Sequence, residues 1–146
     1  MSVNEVSMGL QFLSSRLSAD STLAGLAPGG VKRFAAPAGT ATPFIIIGYQ
    51  TGKDVTTLNG VRVMDDILYL AKVVGEASKT QAVVDASSQL DVVLGGTQGL
   101  RNIAVTGGWL LACYRQVPVQ FDEPVAQSSI IWSHSGGLYR IELQQV

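Results

Sequence analysis

Two apolar, β-rich segments separated by a polar stretch constrain the fold of this chain more than any other feature. Phe44 to Tyr49 contains three successive isoleucines, and Ile67 to Val74 is apolar except for one lysine. Such runs predict strands that are covered on both faces. Asn59-Gly60 lies between them and is a strong tight-turn signal. We therefore predict a hairpin whose tip, Thr51 to Gly60, is a long, polar, projecting arm.

Apolar residues spaced by three and four near the start of the chain predict an amphipathic helix. They are Val3, Val6, Leu10, Leu13 and Leu17. A second short helix is predicted after a cap at Ser18 or Asp20 and ends before Pro28-Gly29-Gly30. A third is predicted from a cap at Ser78 or Thr80 to about Leu94, where Gly95-Gly96 stops it.

The remaining segments predict further short strands. The predicted strands are Val31 to Ala35, Ile103 to Arg115, Val119 to Phe121, Ser129 to His134 and Leu138 to Leu143. Gly107-Gly108 is predicted to interrupt the second of these, and Gly136-Gly137 is predicted to join the last two. Asp122-Glu123-Pro124 is predicted to be a turn. Strands that follow one another through turns pair antiparallel. The predicted class is α+β: a mainly antiparallel β-sheet with helices packed on one face and a projecting β-hairpin arm, in one domain spanning residues 1–146.

The composition is poor in charge, which points to contacts between subunits. Charged residues make up 14% and hydrophobic residues 47% of the chain, whereas a typical domain carries about 25% charged residues. Part of the apolar surplus is therefore expected to face another subunit. The net charge is −1 and Lys32-Arg33 is the only adjacent basic pair, which argues against recognition of nucleic acid through charge. No apolar run approaches the ~20 residues of a membrane span, and no signal peptide is evident.

The residues that usually carry catalysis are few. His134 is the only histidine, no GxSxG motif precedes it, and we expect it in a turn or on the surface. Cys113 is expected to be a buried hydrophobe rather than a reactive thiol. Zinc-site spacing is absent, and the acidic residues, including Asp65 and Asp66, are expected to be solvated. Trp109 is expected in the core, although either tryptophan suits an interface. We expect no catalytic activity, cofactor or metal.

Two motifs and the order of elements resemble the tail terminator, or tail completion, proteins of long-tailed bacteriophages. Leu17-Ser18-Ala19-Asp20-Ser21-Thr22-Leu23-Ala24-Gly25-Leu26 is similar to that family's L-x-x-D-x-x-L-x-x-L pattern. Pro43-Phe44-Ile45-Ile46-Ile47-Gly48 is similar to its P-[YF]-[IV]-x-[IV]-G strand. The similarity in order extends over nearly the whole chain, but the long strand lacks the aromatic and arginine with which the family's strand often ends.

The resemblance implies a structural virion protein. It implies a ring, usually of six subunits, at the head-proximal end of the tail tube, which ends tube polymerisation and offers a head–tail joining surface. The implied partners are further copies of the chain, the tail tube protein and a head-completion or connector protein. Genome DNA would pass through the lumen without specific recognition. The implied location is the tail or neck of the virion, after assembly in the host bacterial cytoplasm.

The arm, Thr51 to Arg62, is the candidate surface for subunit or partner contacts, followed by the loop Ala36 to Thr42. Within the arm the candidate residues are Lys53, Asp54, Thr57, Asn59 and Arg62. A merely solvated loop is the alternative for both segments. For the whole chain, the alternatives are another neck or connector component, such as a head-completion protein, and a small-ligand-binding or enzymatic α+β domain. The last of these requires a concave pocket with converging polar groups.

Overall fold

The computed structural model describes residues 4–146, which form one sheet and a layer of helices. The elements are α1 (Glu5–Ala19), α2 (Ser21–Leu26), β1 (Val31–Arg33), β2 (Phe44–Thr56), β3 (Arg62–Glu76), α3 (Thr80–Val93), β4 (Leu100–Val105), β5 (Gly108–Pro124) and β6 (Ile131–Gln145). The six strands lie in the order β1-β2-β3-β6-β5-β4. Every neighbouring pair is antiparallel except β1 and β2, which are parallel. The predicted α+β class is confirmed.

The first two helices begin at short polar residues that accept a hydrogen bond from the first turn. Asn4 accepts from the backbone N–H of Ser7 at 2.8 Å, and Asp20 accepts from that of Leu23 at 2.8 Å. These side chains satisfy N–H groups that a helix start leaves without a partner. The cap predicted at Asp20 is confirmed. Of the predicted stripe on α1, Val3 lies outside the described residues.

The third helix begins differently from the prediction. Residues 77–79 form a 3₁₀ turn that leads into α3, and Lys79 at the cap position makes no side-chain capping bond. The hydroxyl of Thr80 donates to the carbonyl of Ala77 at 2.5 Å. Because this hydroxyl is used as a donor to the preceding turn, Thr80 is not the cap. The helix ends at Val93, one residue before the predicted end.

The core lies between the helices and one face of the sheet. Alternate residues of the central strands are completely or almost completely buried, and the largest are Ile67, Tyr69, Tyr139 and Ile141. Tyr69 donates from its hydroxyl to the carbonyl of Val6 at 2.9 Å. A β-carbon at Gly9 would lie 2.0 Å from that hydroxyl oxygen. The glycine therefore allows α1 to approach the sheet closely enough for the tyrosine to be both buried and hydrogen-bonded.

Three of the predicted strand boundaries are wrong. Gly107-Gly108 does not interrupt one strand, because β4 and β5 are separate strands joined by a turn at this point. Asp122-Glu123-Pro124 is not a turn but the end of β5, where Pro124 pairs with Ile131. Gly136-Gly137 does not separate two strands, since both residues lie within β6.

The glycines within β6 are explained by close approach rather than by a turn. A β-carbon at Gly136 would lie 2.4 Å from Cα of Lys72, and one at Gly137 would lie 2.7 Å from Cδ of Arg115. A glycine inside a strand often marks a position that another backbone or side chain approaches closely. The pair Gly136-Gly137 therefore predicts a turn from sequence, although β6 continues through it.

Candidate interaction surface

The predicted arm is present as the outer part of the β2–β3 hairpin, which we define as residues 51–62. Residues Thr51 to Thr56 of the arm pair with residues Leu68 to Arg62 of β3. The turn closes through the backbone N–H of Thr57, which donates to Val61 at 2.8 Å. Gly60 has a φ of 79°, a conformation that strongly favours glycine. The arm is thus an ordered two-stranded ribbon and not an irregular loop.

All five candidate contact residues of the arm are exposed, but they do not form one polar cluster. They are Lys53, Asp54, Thr57, Asn59 and Arg62. Arg62 already has a partner within the chain, because its Nη2 lies 3.0 Å from Oε1 of the buried Glu5. The other four lie along the ribbon and its turn. Their role in subunit or partner contacts stays a prediction.

The root of the arm holds a cluster of acidic groups that includes a buried carboxyl. Asp65 is 4% exposed and lies opposite Asp54 across the hairpin. Burial, a hydrogen bond with Asp54 and the nearby Glu5 together raise the pKa of Asp65 to about 7. The expectation that this acid is solvated is therefore wrong. Its side chain points toward α1, and a carboxyl in that position is more stable neutral than charged.

The tip of the arm is uncharged and exposes apolar side chains beside its threonines and asparagine. Leu58 is fully exposed in the turn, and Val61 and Val63 are also exposed. From Val55 to Val61 the chain carries no charge. A leucine at the apex of a tight turn contributes nothing to the core of its own chain. The tip is therefore a surface feature with no stabilising role inside the subunit.

An open groove of about 910 Å³ lies on the helix side of the sheet, between α1 and the edge strand β4. Its apolar lining includes Met8, Phe12, Val92, Ile103 and Val105. The groove exists because α3 packs over β3 and β6, at the centre of the sheet, and leaves β4 uncovered on that side. Sequence reasoning missed it, since no local pattern reveals where a helix layer ends over a sheet.

Two charged residues of the groove are held in place by their own chain. Arg16 donates from Nε to the carbonyl of Val93 at 2.7 Å, and its guanidinium carbon lies 5.9 Å from the centroid of the Phe12 ring. Asp20 caps α2 and also accepts from the amide of Gln89 at 3.3 Å. The groove thus has a mixed lining, in which Arg16 and Asp20 are held by contacts within their own chain.

The opposite face of the sheet carries a separate polar cluster around His134. The histidine is 6% exposed, and its Nε2 lies 2.9 Å from Oε2 of Glu123. Its ring stacks on Phe121 with a centroid separation of 4.2 Å, and Nζ of Lys72 lies 5.1 Å from the same Phe121 ring. Burial and the nearby Lys72 lower the pKa of His134. His134 is therefore a buried residue inside β6, and the expectation of a turn or surface position is wrong.

A second polar contact on this face joins three strands. Nη1 of Arg140 lies 2.5 Å from Oδ1 of Asp66, and its Nε donates to the side chain of Gln116. Half-buried leucines lie on the same face, namely Leu68, Leu70 and Leu138. This face therefore carries both apolar side chains and the ion pair between Arg140 and Asp66.

The cysteine and the two tryptophans singled out in the sequence occupy different environments in the structure. Cys113 is completely buried, and burial raises the pKa of its thiol to about 12. This confirms that it is a core residue. Trp109 is 44% exposed, so its expected core position is wrong: Leu110 takes the inward position on β5, and Trp109 lies opposite Gln144 on the other side. Trp132 is half-buried against the edge of the Phe44 ring, at 6.3 Å.

Neither a metal site nor a membrane-spanning helix is found in the described part of the chain. Across residues 4–146, no group of three or more histidine, cysteine, aspartate or glutamate side chains is placed to hold a metal ion. None of the helices in that range is long and apolar enough to cross a membrane.

Comparison with known proteins finds a likeness in fold. No family model matches the sequence, and no curated protein matches it significantly. Among solved structures, a chain from the virion of a native gene transfer agent particle has a similar fold, with a TM-score of 0.62 and 17% sequence identity. The likeness covers 97% of this chain and 99% of that one. Because the two sequences are so different, the match establishes a shared architecture over the whole length of both chains.

Proposed function

We propose that this chain is a structural virion protein that forms a ring at the head-proximal end of a phage tail tube. The ring ends tube polymerisation and provides the surface on which the head joins the tail. The observation that carries the proposal is the end-to-end fold likeness to a chain of a virion particle. The sequence resemblance to tail terminators supplies the finer assignment to the end of the tube.

The shape of the molecule supports a role in assembly. The β2–β3 hairpin ends at one end of the strands, and the β5–β6 hairpin, with its turn at residues 125–130, ends at the other. Both turns present exposed apolar residues, among them Leu58 on the first and Ile130 on the second. A ring that lies between two different partners needs two different contact ends. We assign one end to the tail tube protein and the other to a head-completion or connector protein.

The properties of the candidate catalytic groups support a role without catalysis. A nucleophile must be accessible and activated, whereas the Cys113 thiol is buried with a raised pKa. A histidine base needs a nucleophile within hydrogen-bond reach, whereas His134 contacts Glu123 and Phe121. We therefore propose that the protein acts through surface complementarity, and that DNA passes its lumen without sequence-specific contacts.

The test is a tube-capping experiment. Purified tail tube protein is allowed to polymerise with and without this protein, and tube lengths and ends are measured by negative-stain electron microscopy. We expect shorter tubes that carry a ring at one end. Unchanged tubes, together with retention of the protein by portal or head-completion proteins in a pull-down, would contradict the proposal and favour the neck or connector alternative.

A further inference from the structure

The two outermost strands of the sheet cover only part of their neighbours. β1 pairs with β2 over residues 45–47 of β2, so residues 48–56 of β2 have no strand on that side within residues 4–146. β4 pairs with β5 only as far as Cys113, so residues 114–124 of β5 likewise have no outer neighbour in the described chain. The sheet therefore has two open edges, one on each side.

The open edge of β5 carries both hydrogen-bond donors and acceptors. Proline has no N–H, so in a sheet it lies where its nitrogen faces away from the ladder, as Pro118 and Pro124 do at this edge. No bulge separates these two residues. Gln120 and Asp122 alternate in phase with them and therefore also direct their N–H groups outward. Such an unpaired edge is a template for pairing with another chain.

The two open edges run in compatible directions. Three antiparallel steps, through β3 and β6, connect β2 to β5, so β2 and β5 run in opposite directions. A second copy in the same orientation, placed with its β2 beside β5 of the first, therefore pairs antiparallel. This is the more stable of the two arrangements, and the helices of both copies then lie on the same side of the combined sheet.

The lengths of the two edges favour one register. Each edge contains one bulged residue, Gln50 in β2 and Gln116 in β5. Because side chains alternate between the faces, a register that keeps the helices on one side can slip only by two positions at a time. With Asp54 opposite Pro118, the whole of 48–56 pairs with residues 115–123 of the neighbouring copy.

The neighbouring registers use the edges less completely. A slip of two positions in one direction brings Thr56 to Cys113, where β4 already pairs. The same slip in the other direction carries the start of the β2 edge past Pro124, where β5 ends. A slip of four positions in that direction places Asp54 opposite Asp122, and like charges directly opposite each other are destabilising.

This register also has the stagger of a closed sheet. Within one copy Asp54 lies in the same row as Leu110, through Asp65 and Leu143. Pro118 lies eight residues beyond Leu110, and two of these residues are bulged out of the ladder, so adjacent copies are staggered by six positions. Six positions correspond to about 20 Å along the strands, and the four strands β2, β3, β6 and β5 span about 19 Å across them.

The ratio of these two lengths sets the tilt of the strands in a ring. When copies repeat by rotation alone, a stagger of about 20 Å for each 19 Å of width tilts the strands by about 45° from the ring axis. Sheets that close on themselves have strand tilts of about 35–45°. A head-to-tail contact gives a ring when its rotation closes, and the register chosen by the edge lengths is therefore compatible with closure.

We infer that the open edge of β5 pairs with the open edge of β2 of a neighbouring copy of this chain, with Asp54 opposite Pro118. Each copy then contributes four strands to one continuous antiparallel sheet around the ring. The inference deepens the proposed function by naming the contact between subunits, and it rests on that function for the ring itself.

Cysteine cross-linking tests the register directly. In the inferred pairing Lys53 of one copy lies opposite Val119 of the next, and opposite Cα atoms are about 4.5–5.5 Å apart, within the reach of a disulfide. Cys113 is buried and does not compete. We expect K53C and V119C, mixed and oxidised at concentrations where the chain associates, to form a disulfide-linked dimer. The double variant K53C/V119C should give a ladder that ends at a closed ring.

The matched control shifts the register by two positions. Val117 is exposed on the same face of β5, and K53C with V117C should cross-link poorly, because diagonal neighbours lie about 7–8 Å apart. V55C with V117C restores the inferred register and should cross-link. Preferential cross-linking of K53C with V117C overturns the register. A dimer of K53C with itself overturns the contact, because it would indicate two β2 edges pairing with each other.

A second readout removes one backbone donor. Gln120 is exposed and its N–H faces the open edge, so Gln120→Pro should leave the subunit folded, as checked by its melting temperature. By sedimentation Q120P should weaken association at least about tenfold, because the proline removes a ladder hydrogen bond, and Gln120→Ala should associate like the unchanged chain. Equal association of folded Q120P and Q120A, or a chain that is monomeric at every concentration, overturns the inference.

The two proposals fail in different experiments. Rings that cross-link through K53C and V119C but leave tube growth unchanged would contradict the proposed function and support the contact. Tubes that are capped by a protein whose K53C and V119C do not cross-link would support the function and overturn the contact.

Discussion

Asp65 lies directly opposite Asp54 in the ladder between β2 and β3, at the root of the arm. Opposite carboxylates in a sheet repel each other, and Asp65 is also buried next to Glu5. The neutral form of Asp65 is therefore favoured in the folded protein. This single relationship links the stability of the arm to pH.

The first prediction is that Asp65→Asn stabilises the protein at pH 8 and removes part of its pH dependence. The pKa of Asp65 is raised from 3.8 to about 7 in the folded state, so between these values the folded chain binds more protons than the unfolded chain. Its contribution to stability is thus lost as the pH rises toward 7. We expect a gain of about 1–3 kcal/mol at pH 8, measured by urea unfolding.

The matched control for this prediction is Asp85→Asn, which changes an exposed aspartate on α3. It should leave the pH profile of unfolding unchanged. A D65N protein whose stability falls with rising pH as steeply as that of the unchanged chain would show that Asp65 is not the group responsible.

The second prediction concerns the close contact between α1 and the sheet. Gly9→Ala places a β-carbon 2.0 Å from the Tyr69 hydroxyl oxygen, and we expect it to destabilise the protein by about 1–3 kcal/mol. Gly25→Ala is the control, because α2 offers open space at that position. Since alanine favours helix over glycine, G25A should stabilise by roughly 0.5–1 kcal/mol. Thermal unfolding compares the two, and equal effects would contradict the packing argument.

The third prediction concerns Asp20, which lies between α1 and α2. Asp20 caps α2 through the backbone N–H of Leu23. Asp20→Ala should therefore cost about 1 kcal/mol, while Asp20→Asn, which keeps the capping oxygen, should cost much less. Chemical denaturation of the three proteins is the measurement. An alanine variant as stable as the asparagine variant would mean that the cap does not stabilise this helix.

The fourth prediction separates His134 from catalysis and assigns it to packing. Burial and Lys72 lower its pKa below the ordinary 6.5, so its contribution to stability is fully present above 6.5 and is lost as the pH falls through the folded pKa. His134→Gln should reduce this loss of stability at low pH and, under the proposed function, should leave the capping of tubes unchanged. The control is His134→Ala, which also removes the ring stacked on Phe121 and should destabilise the protein at every pH. Loss of capping by a folded H134Q protein would contradict this assignment.

The fifth prediction tests the arm as a unit. If residues 57–61 are replaced by a two-residue Asn-Gly turn, Thr56 can still pair with Arg62, and the subunit should keep its melting temperature because the five replaced residues are exposed. Under the proposed function, phage carrying this change should produce tails of abnormal length that do not join heads. Tails of normal length that do join heads would identify the arm as a solvated loop.

Local sequence patterns predicted the structure correctly where a short segment is governed mainly by its own residues. The adjacent isoleucines are buried on both faces of β2, Asn59-Gly60 forms the turn, and Asp20 caps α2. The same patterns failed at Gly136-Gly137 and at Trp109. There the outcome depends on contacts with Lys72 and Arg115, and on which face of β5 meets the helices.

The sequence by itself determined the α+β class, the hairpin arm and the burial of Cys113, because spacing, turn residues and hydrophobicity act over a few neighbouring positions. Only the tertiary structure decided that Asp65 and His134 are buried and that Leu58 is fully exposed. It also decided that a groove lies between α1 and β4. These features arise where distant segments meet, and a sequence pattern does not record the register or the packing that brings them together.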